Sequence, residues 1–268
     1  MINILFFGDI IGKVGRSALH KYLPQLKAKY NPDFMFANAE NAAGGIGLTP
    51  DVADELIVMG FDVLTGGNHI WKYKELYPYL DAKSDRLIRP MNYPSYSSEM
   101  SVPGVGFTVV KRSEFEFIIV NIMGRTFVQP IDCPFRAMDT LLAKYPLNGN
   151  RMIFVDFHAE TTSEKDAMGW YLDGRVTAVL GTHTHVQTAN ERVLPKGTAY
   201  ITDVGMCGPM DTVIGVDREI IIQRFLTQLP IAFKFTDKSN LGVNGVCVQA
   251  APKTGKAVSI ERIFIREN

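Results

Sequence analysis

Side chains able to bind a metal or move a proton follow five separate apolar runs of the sequence. In chain order these side chains are Asp9, Glu40, Asn41, Asn68, His69, His158, His183 and His185. Four of the five histidines of the chain belong to this set. One apolar run followed by such a side chain would mean little. Five runs of this kind make coincidence a poor explanation.

The chemistry of the set is coherent. It offers two carboxylates, two amides and four imidazoles, without a thiolate. Nitrogen and oxygen ligands of this kind suit iron, manganese or zinc rather than Cu(I) or an iron–sulfur cluster. Eight groups are too many for one tetrahedral zinc ion. They are about right for two ions that share a carboxylate, with one group left for proton transfer.

Single members of the set also have ordinary structural interpretations. Asp9 is compatible with a turn after the first strand, and Glu40 and Asn41 are compatible with turn residues in AENAAGG. A lone histidine such as His158 is more often a buried histidine bonded within the protein than a ligand. The prediction of a metal site therefore depends on the whole set.

The pair His183 and His185 in GTHTH is the stronger local signal. On an extended chain, residues two positions apart point to the same side, so both imidazoles can face a metal. The fifth histidine, His20, lies in the helical pattern GRSALHKYLPQLKAKY and is expected to be solvated.

The elements that must position these residues alternate along the chain. The strand patterns are INILFFGD, DFMFANAEN, FDVLTGGNH, EFEFIIVNIMG, RMIFVDFHAE, VTAVLGTHTH, TAYITDVG and a closing hairpin, GVCVQAAP and AVSIERIFIRE, joined by KTGK. Helical patterns between the strands predict right-handed βαβ units, and the hairpin adds an antiparallel part. Because sites in such folds form beyond the carboxyl ends of strands, we expect the five endings to meet in one crevice.

Local signals sharpen some of the helices. The sequence from Thr49 to Gly60 carries an N-cap residue, an early proline and a closing glycine. Pro24 predicts a kink or a break in the first helix. Ser163 is the expected cap of a later helix that Gly174 ends, and residues 84–106 are expected to be an irregular loop.

Composition and length exclude several classes of protein. The 268 residues carry a net charge of zero, so no stable nucleic-acid partner is predicted. Three widely separated cysteines disfavour a disulfide framework and fit a reducing, cytoplasmic compartment. No apolar run approaches the ~20 residues of a membrane span. Without repeats or long linkers, residues 1–268 are predicted to form a single domain, with residues 206–240 as a hypothetical lid.

The order of these motifs resembles that of the calcineurin-like metallophosphoesterases, and more closely that of their YmdB-like bacterial branch. The segments that carry the resemblance are GDIIG, AENAAGG, GGNHIW, DFHAETTSEK, GTHTHVQTAN and TDVGMCGPMDTVIG. Together they extend nearly from end to end. The resemblance implies an α/β, calcineurin-like metallophosphoesterase fold, in which mixed β-sheets pack face to face and are flanked by helices.

The resemblance also implies a division of the ligands between two ions. The first ion would be held by Asp9, Glu40, Asn41 and His185. The second would be held by Glu40, Asn68, His158 and His183, so that Glu40 bridges. His69 would face the leaving group of the substrate, the alternative being a histidine that orients a ligand.

Two departures from the broad superfamily pattern concern the first ion. The usual D-x-H is Asp9-Ile10-Ile11 here, and the usual bridging Asp is Glu40 followed by Asn41. In the YmdB-like branch this pair is the norm, and Asn41 resembles a substitute for the missing histidine. Thr212 and Asn190 stand where the branch usually has Ser and Asp, and neither is implied to be a ligand.

The implied function is a two-metal phosphodiesterase, a phosphoric diester hydrolase acting on a small-molecule phosphodiester. Cyclic nucleotides, with 2',3'-cyclic AMP foremost, would be hydrolysed by attack of a metal-bridging hydroxide with His69 as general acid. Iron or manganese are the implied metals, with zinc as an alternative, and a homo-oligomer is an expectation. Two alternatives stay open: a broad-specificity phosphomonoesterase, and a metal-stabilised nucleotide-sensing regulatory protein with weak catalysis.

Overall fold

The computed structural model describes residues 1–94, 101–236 and 240–267. The strands are β1 (Ile2–Phe7), β2 (Asp9–Ile10), β3 (Phe34–Asn38), β4 (Val63–Thr65), β5 (Leu87–Ile88), β6 (Phe107–Arg112), β7 (Phe115–Met123), β8 (Arg151–His158), β9 (Ala178–Thr182), β10 (Arg192–Val193), β11 (Ala199–Ile201), β12 (Met206–Pro209), β13 (Leu241–Ala250) and β14 (Ala257–Arg266). The helices are α1 (Gly12–Tyr30), α2 (Pro50–Met59), α3 (Leu76–Ala82), α4 (Pro134–Lys144), α5 (Thr162–Leu172) and α6 (Arg218–Thr227).

The strands form two mixed sheets. The first has the order β2-β12-β13-β1-β3-β4-β5, with β14 paired to β13. Within it β1, β3, β4 and β5 are parallel, whereas β13 runs antiparallel to β1 and to β14. The second has the order β10-β11-β9-β8-β7-β6, with parallel inner strands and an antiparallel strand at each edge. The predicted mixed sheets and the closing hairpin are therefore confirmed.

Aromatic side chains fill the space between the two sheets. The ring of Phe34 on β3 stacks on Phe117 of β7, with centroids 4.7 Å apart. Phe36, also on β3, lies 4.3 Å from Phe6 and 5.8 Å from Phe154 of β8. These rings are fully buried, so the sheets pack face to face, as predicted.

Helices cover the outer face of each sheet. Apolar residues of α1, α2 and α3 share one buried cluster with β1, β3 and β4. Those of α4 and α5 share another with β7, β8 and β9. Helix α1 runs without interruption through Pro24, so the predicted break is wrong. Leu23 and Leu26 beside the proline are buried in the cluster, and this packing outweighs the hydrogen bond that proline cannot donate.

Some local predictions need correction. Thr161, not Ser163, caps α5, because its hydroxyl accepts the Glu164 N–H at 3.4 Å. The segment 84–106 contains β5, and within it residues 95–100 lie outside the described residues. No helix among the described residues has the length and hydropathy needed to cross a membrane.

The strand ends bring the candidate residues to one side of the molecule. The parallel strands β1, β3 and β4 of the first sheet precede Asp9, Glu40 and Asn68. In the second sheet, β8 ends on His158 and the parallel β9 ends one residue before His183. The carboxyl ends of strands from both packed sheets thus supply the candidate site.

The hypothetical lid at residues 206–240 stays a prediction. Its first four residues form β12 inside the first sheet, and residues 237–239 lie outside the described residues. The intervening chain does reach the candidate site, since the carbonyl oxygen of Ile214 lies 2.8 Å from His185 Nδ1.

Candidate metal centre

Glu40, His158 and His183 form the centre of the site. One ligand atom from each lies within 4.8 Å of the other two. Glu40 and His158 are almost completely buried, whereas His183 is partly exposed. A buried carboxylate facing two imidazoles is a group that can hold a metal ion.

The spacing around His158 matches the spacing of ligands on a common ion. Its Nε2 lies 3.0 Å from Asn68 Oδ1, 3.0 Å from His183 Nδ1 and 3.2 Å from Glu40 Oε1. Ligand atoms about 2.1 Å from a metal stand roughly 3.0 to 3.4 Å apart in octahedral or tetrahedral geometry. The structure therefore brings together the four residues assigned to the second ion.

Asp9, Asn41 and His185 form a second group next to Glu40. His185 Nε2 is 3.7 Å from Asp9 Oδ1 and 3.3 Å from the amide nitrogen of Asn41. That nitrogen is also 3.3 Å from Glu40 Oε1. Asp9 Oδ1 is buried and has no hydrogen-bond partner among the described residues. A buried oxygen of this kind is costly unless a cation or a donor faces it.

The amide of Asn41 turns its nitrogen, and not its oxygen, toward the other candidate ligands of the first ion. Its Nδ2 faces His185 and Glu40, and its Oδ1 lies 2.8 Å from His69 Nδ1. Metal ions bind amides through the oxygen. A ligand role therefore requires a half-turn of the amide, which would direct Nδ2 toward His69 instead.

Each of the three histidines assigned as ligands has a partner for its other ring nitrogen. His158 Nδ1 lies 2.9 Å from Thr182 Oγ1, and His185 Nδ1 lies 2.8 Å from the carbonyl oxygen of Ile214. His183 Nε2 lies 3.0 Å from the carboxylate of Glu160. Such partners fix the ring and leave the remaining nitrogen for the metal.

These outer partners are the functional residues that sequence reasoning missed. Glu160 follows His158 by two residues in DFHAE, so its position next to a candidate ligand was a usable signal. The carbonyl of Ile214 offered none, because a backbone oxygen has no sequence signature.

Behind His158 the network ends on a buried carboxylate. Thr182 Oγ1 donates to Asp156 Oδ1 at 2.6 Å, which leaves the hydroxyl oxygen to accept from His158 Nδ1. Asp156 also accepts from Asn38 Nδ2 at 2.9 Å and from the hydroxyl of Thr65. Burial raises the pKa of Asp156 to about 6 despite these bonds.

His69 lies at the open side of the site, with its side chain 37% exposed. Its backbone N–H donates to Glu40 Oε2 at 2.8 Å, and its Nδ1 lies 2.8 Å from Asn41 Oδ1. The same Nδ1 also lies 3.1 Å from Glu40 Oε1, so the Nδ1 side of the ring faces the centre and Nε2 is the nitrogen left for a substrate. His20, by contrast, is exposed on α1, as expected from the sequence.

Burial and neighbouring charges shift the pKa values of the candidate ligands. Burial raises the pKa of Asp9 above its usual value. Burial also opposes ionisation of Glu40, but His158 outweighs it and holds the pKa of Glu40 well below its usual range. Burial alone would lower the pKa of His158, yet Glu40 raises it to about 9. Burial, together with His158, lowers the pKa of His183 to about 3. The carboxylates thus favour positive charge at their centre, which a metal ion also supplies.

The backbone at GTHTH differs from the prediction. Strand β9 ends at Thr182, and His183 and His185 have φ angles of +99° and +66°. The expectation that both imidazoles project from an extended chain is therefore wrong. A tight turn in the left-handed region, uncommon for residues other than glycine, brings His183 next to His158 and His185 next to Asn41.

Gly67 leaves room for the centre. A Cβ atom there would lie 2.2 Å from Glu40 Oε2 and 2.5 Å from His158 Nε2. No side chain fits at that distance, so the glycine before Asn68 is a requirement of the site.

The chain is similar to known phosphoesterases over nearly its whole length. A model described as "YmdB-like protein" matches residues 5–263. A Bacillus subtilis (strain 168) protein named 2',3'-cyclic-nucleotide 2'-phosphodiesterase is 49% identical over 267 residues, which cover 100% of this chain and 98% of that protein. The crystal structure of a "novel phosphatase" from Mycoplasma pneumoniae has a TM-score of 0.92 at 38% identity, covering 100% of this chain and 94% of that one.

A more distant likeness bears on the fold alone. The calcineurin-like phosphoesterase YfkN from Bacillus subtilis has a TM-score of 0.54 at 9% identity, covering 99% of this chain and 90% of that one. The predicted calcineurin-like fold is confirmed.

Proposed function

The chain belongs to the YmdB-like protein family, and from that premise we propose that it hydrolyses 2',3'-cyclic nucleotides with two metal ions. The predicted enzyme class, a phosphoric diester hydrolase, is confirmed by the full-length relative from Bacillus subtilis. The observation that carries the finer proposal is Glu40, a buried carboxylate whose Oε1 lies 3.2 Å from His158 of one group of candidate ligands and 3.3 Å from Asn41 of the other.

The residues present fit two metal ions. Asp9 contributes a buried oxygen without a hydrogen-bond partner among the described residues, and Gly67 leaves free the space next to Glu40. The first ion would be held by Asp9, Glu40, Asn41 and His185, and the second by Glu40, Asn68, His158 and His183. This nitrogen and oxygen set suits iron, manganese or zinc, and the resemblance to the family favours iron or manganese over zinc.

Metal ions bound there would neutralise the phosphoryl oxygens and make hydroxide available near neutral pH. Residues around the candidate ligands would keep those ligands in position. Glu160, Thr182 and the carbonyl of Ile214 hold the histidine rings in place, so the ligands need no rearrangement when a substrate arrives.

His69 is proposed as the general acid that protonates the departing oxygen. Its ring is the exposed imidazole next to Glu40, and its Nε2 is not occupied by the contacts to Asn41 and Glu40. His69 Nδ1 also lies 3.1 Å from Glu40 Oε1, so with the charge of Glu40 neutralised by a metal ion, a half-turn of the Asn41 amide would make Nδ1 the acceptor and place the ring proton on Nε2. In that state the ligand role of Asn41 and the acid role of His69 support each other.

The substrate class rests on the family and not on a residue of this chain. The Bacillus subtilis relative is named for a 2',3'-cyclic nucleotide, whereas the Mycoplasma pneumoniae structure is titled a phosphatase. The first is therefore proposed as the substrate, and the phosphomonoesterase alternative is kept as an outcome of the test. The regulatory alternative would be marked by a missing ligand or acid, and the chain has all of them.

The test is a substrate panel with the purified, Mn²⁺-reconstituted protein. The panel contains 2',3'-cyclic AMP, 3',5'-cyclic AMP, bis-p-nitrophenyl phosphate and p-nitrophenyl phosphate, with the products of the cyclic substrates separated by chromatography. We expect the highest kcat/KM for 2',3'-cyclic AMP and faster hydrolysis of the diester than of the monoester. Preference for p-nitrophenyl phosphate would favour the phosphomonoesterase, and no hydrolysis of any substrate would overturn the proposal.

A further inference from the structure

A buried ion pair without a role in the proposed reaction lies behind the GTHTH turn. Lys165 Nζ, on α5, is 2.6 Å from Oδ2 of Asp203, which follows β11. Each side chain is only 1% exposed. Burying two charges so completely is costly unless further hydrogen bonds complete both groups. What else Asp203 binds therefore indicates what the pair does.

One oxygen of Asp203 binds the residue between the two candidate histidine ligands. Its Oδ2 accepts the Thr184 backbone N–H at 3.1 Å and the Thr184 hydroxyl at 2.7 Å. The neighbours of Thr184 are His183 and His185, both in the left-handed backbone region. Residues of this kind keep such a conformation only where surrounding contacts hold it. The two bonds from Thr184 to a buried carboxylate are contacts of this type.

The other oxygen of Asp203 leads to the third ligand. Its Oδ1 accepts the Gly205 N–H at 2.8 Å, and the carbonyl oxygen of Gly205 accepts the Asp9 N–H at 3.1 Å. Gly8 is packed so closely here that a Cβ atom would lie 1.7 Å from that carbonyl oxygen. Asp9 Oδ2 in turn accepts the His183 N–H at 3.1 Å. A closed circuit thus joins Asp203, Gly205, Asp9, His183 and Thr184.

We propose that Asp203, neutralised by Lys165, is a positioning residue that fixes His183, His185 and Asp9 in the geometry needed to bind the metals. This inference rests on the proposed two-metal function. It also gives a role to two motifs that the ligand set leaves unused, the lysine of TSEK and the aspartate of TDVG. Asp203 contacts neither substrate nor metal in this account and acts only through the backbone of the ligands.

The test removes the hydroxyl of Thr184 without changing its size. Thr184→Val deletes one of the two bonds to Asp203, and Thr184→Ser keeps it. Mn²⁺ affinity is measured by electron paramagnetic resonance of the free ion in titrations of the metal-free protein. Partners that orient ligands change metal affinity by about 10- to 100-fold, so we expect a loss of that size for the valine variant and wild-type affinity for the serine variant.

Two controls separate a positioning role from a general loss of structure. Thr140→Val removes an exposed hydroxyl on α4 that donates to the carbonyl of Arg136 at 3.1 Å, and the metal affinity of this variant should equal that of the wild type. The absorption bands of the Co²⁺-loaded protein report ligand geometry, and we expect them to change in Thr184→Val and not in Thr184→Ser.

The outcomes are distinct. Wild-type affinity and unchanged Co²⁺ bands in Thr184→Val would overturn the positioning role of Asp203, even if the enzyme is a two-metal phosphodiesterase. Equal losses in the valine and serine variants would overturn it too, because the serine restores the bond. If the wild-type protein itself binds neither ion, it is the proposed function that fails.

Discussion

Asn68 and His69, which follow β4, are adjacent in the chain but have different proposed roles, as metal ligand and as general acid. Asn68 places its side-chain oxygen 3.0 Å from His158 Nε2, inside the candidate centre. His69 keeps its ring at the exposed side and contacts the centre through its backbone and Nδ1. Both residues can lie next to the centre because the chain turns at Gly66 and Gly67. In a continuing strand, the side chains of Asn68 and His69 would point to opposite faces of the sheet.

The proposed acid is tested by His69→Ala. We expect the variant to bind metal as the wild type does, because no ligand is removed. Its kcat should fall by about 10²- to 10⁴-fold on substrates with a poor leaving group and much less on bis-p-nitrophenyl phosphate, whose leaving group needs little protonation. The measurement is kcat on both substrates together with metal content, and His20→Ala on exposed α1 is the matched control. Loss of metal from His69→Ala would mean that the histidine is a ligand instead.

At this scale the sequence predicted the types of side chain but not their orientation. Eight candidate residues could be named because each follows an apolar run, and the structure gathers all of them around Glu40. The positive φ angles of His183 and His185 were beyond reach, because they depend on Asp203, a residue far away in the chain. The carbonyl of Ile214 was missed because a backbone oxygen has no sequence signature, whereas Glu160, two residues after His158, could have been found.

Strand ends, rather than helices, carry the site. β1, β3 and β4 of one sheet and β8 and β9 of the other deliver every candidate ligand within a few residues of their last residue. Close approach of these ends requires a residue without a side chain where the turn after β4 passes Glu40 and His158. Gly67 is that residue.

The requirement is tested by Gly67→Ala. The new methyl group would meet Glu40 Oε2 at 2.2 Å and His158 Nε2 at 2.5 Å, so the ligands must move apart. We expect Mn²⁺ affinity to fall by at least about tenfold, comparable to the loss of a partner that orients a ligand. Gly66→Ala is the control, because the three atoms nearest to its methyl group belong to Ile70, at 3.1 to 3.3 Å, and not to a candidate ligand. Equal affinities in the two variants would contradict the account of the turn.

Elements with strong local patterns were predictable, including the three-residue strands β4 and β11, whereas four of the shortest strands and the six-residue β6 were not. The long strands β1, β7, β8, β13 and β14 follow their apolar patterns. The strands β2, β5, β10 and β12 have only two to four residues and exist through pairing with partners distant in the sequence. Such pairing is set by tertiary packing, which outweighs local propensity.

At the scale of the whole molecule, the two sheets meet both in an apolar core and at the candidate metal centre. The core consists of stacked rings such as Phe34 on Phe117. At the centre, Glu40 and Asn68 come from the first sheet, whereas His158 and His183 come from the second. Metal binding would therefore connect the sheets, and metal affinity becomes a contribution to the stability of the folded chain.

Metal removal should consequently lower the thermal midpoint. An ion present at 100 times its Kd adds about 2.7 kcal/mol to the free energy of unfolding. For a chain of this size that corresponds to roughly 5 to 11 °C. We expect a decrease of that order when the Mn²⁺-loaded protein is compared with the chelated, dialysed protein by differential scanning calorimetry. Identical midpoints at saturating Mn²⁺ would show that no ion connects the sheets.

The central claim is that two ions, bridged by Glu40, act together on one phosphodiester. It is tested most directly by titrating the metal-free protein with Mn²⁺ while the hydrolysis of 2',3'-cyclic AMP is followed. The account predicts that activity rises to a plateau at two equivalents per chain. It also predicts that Glu40→Gln, in which a neutral amide replaces the bridging carboxylate, stays near the baseline. A plateau at one equivalent, or full activity in the metal-free protein or in Glu40→Gln, would contradict it.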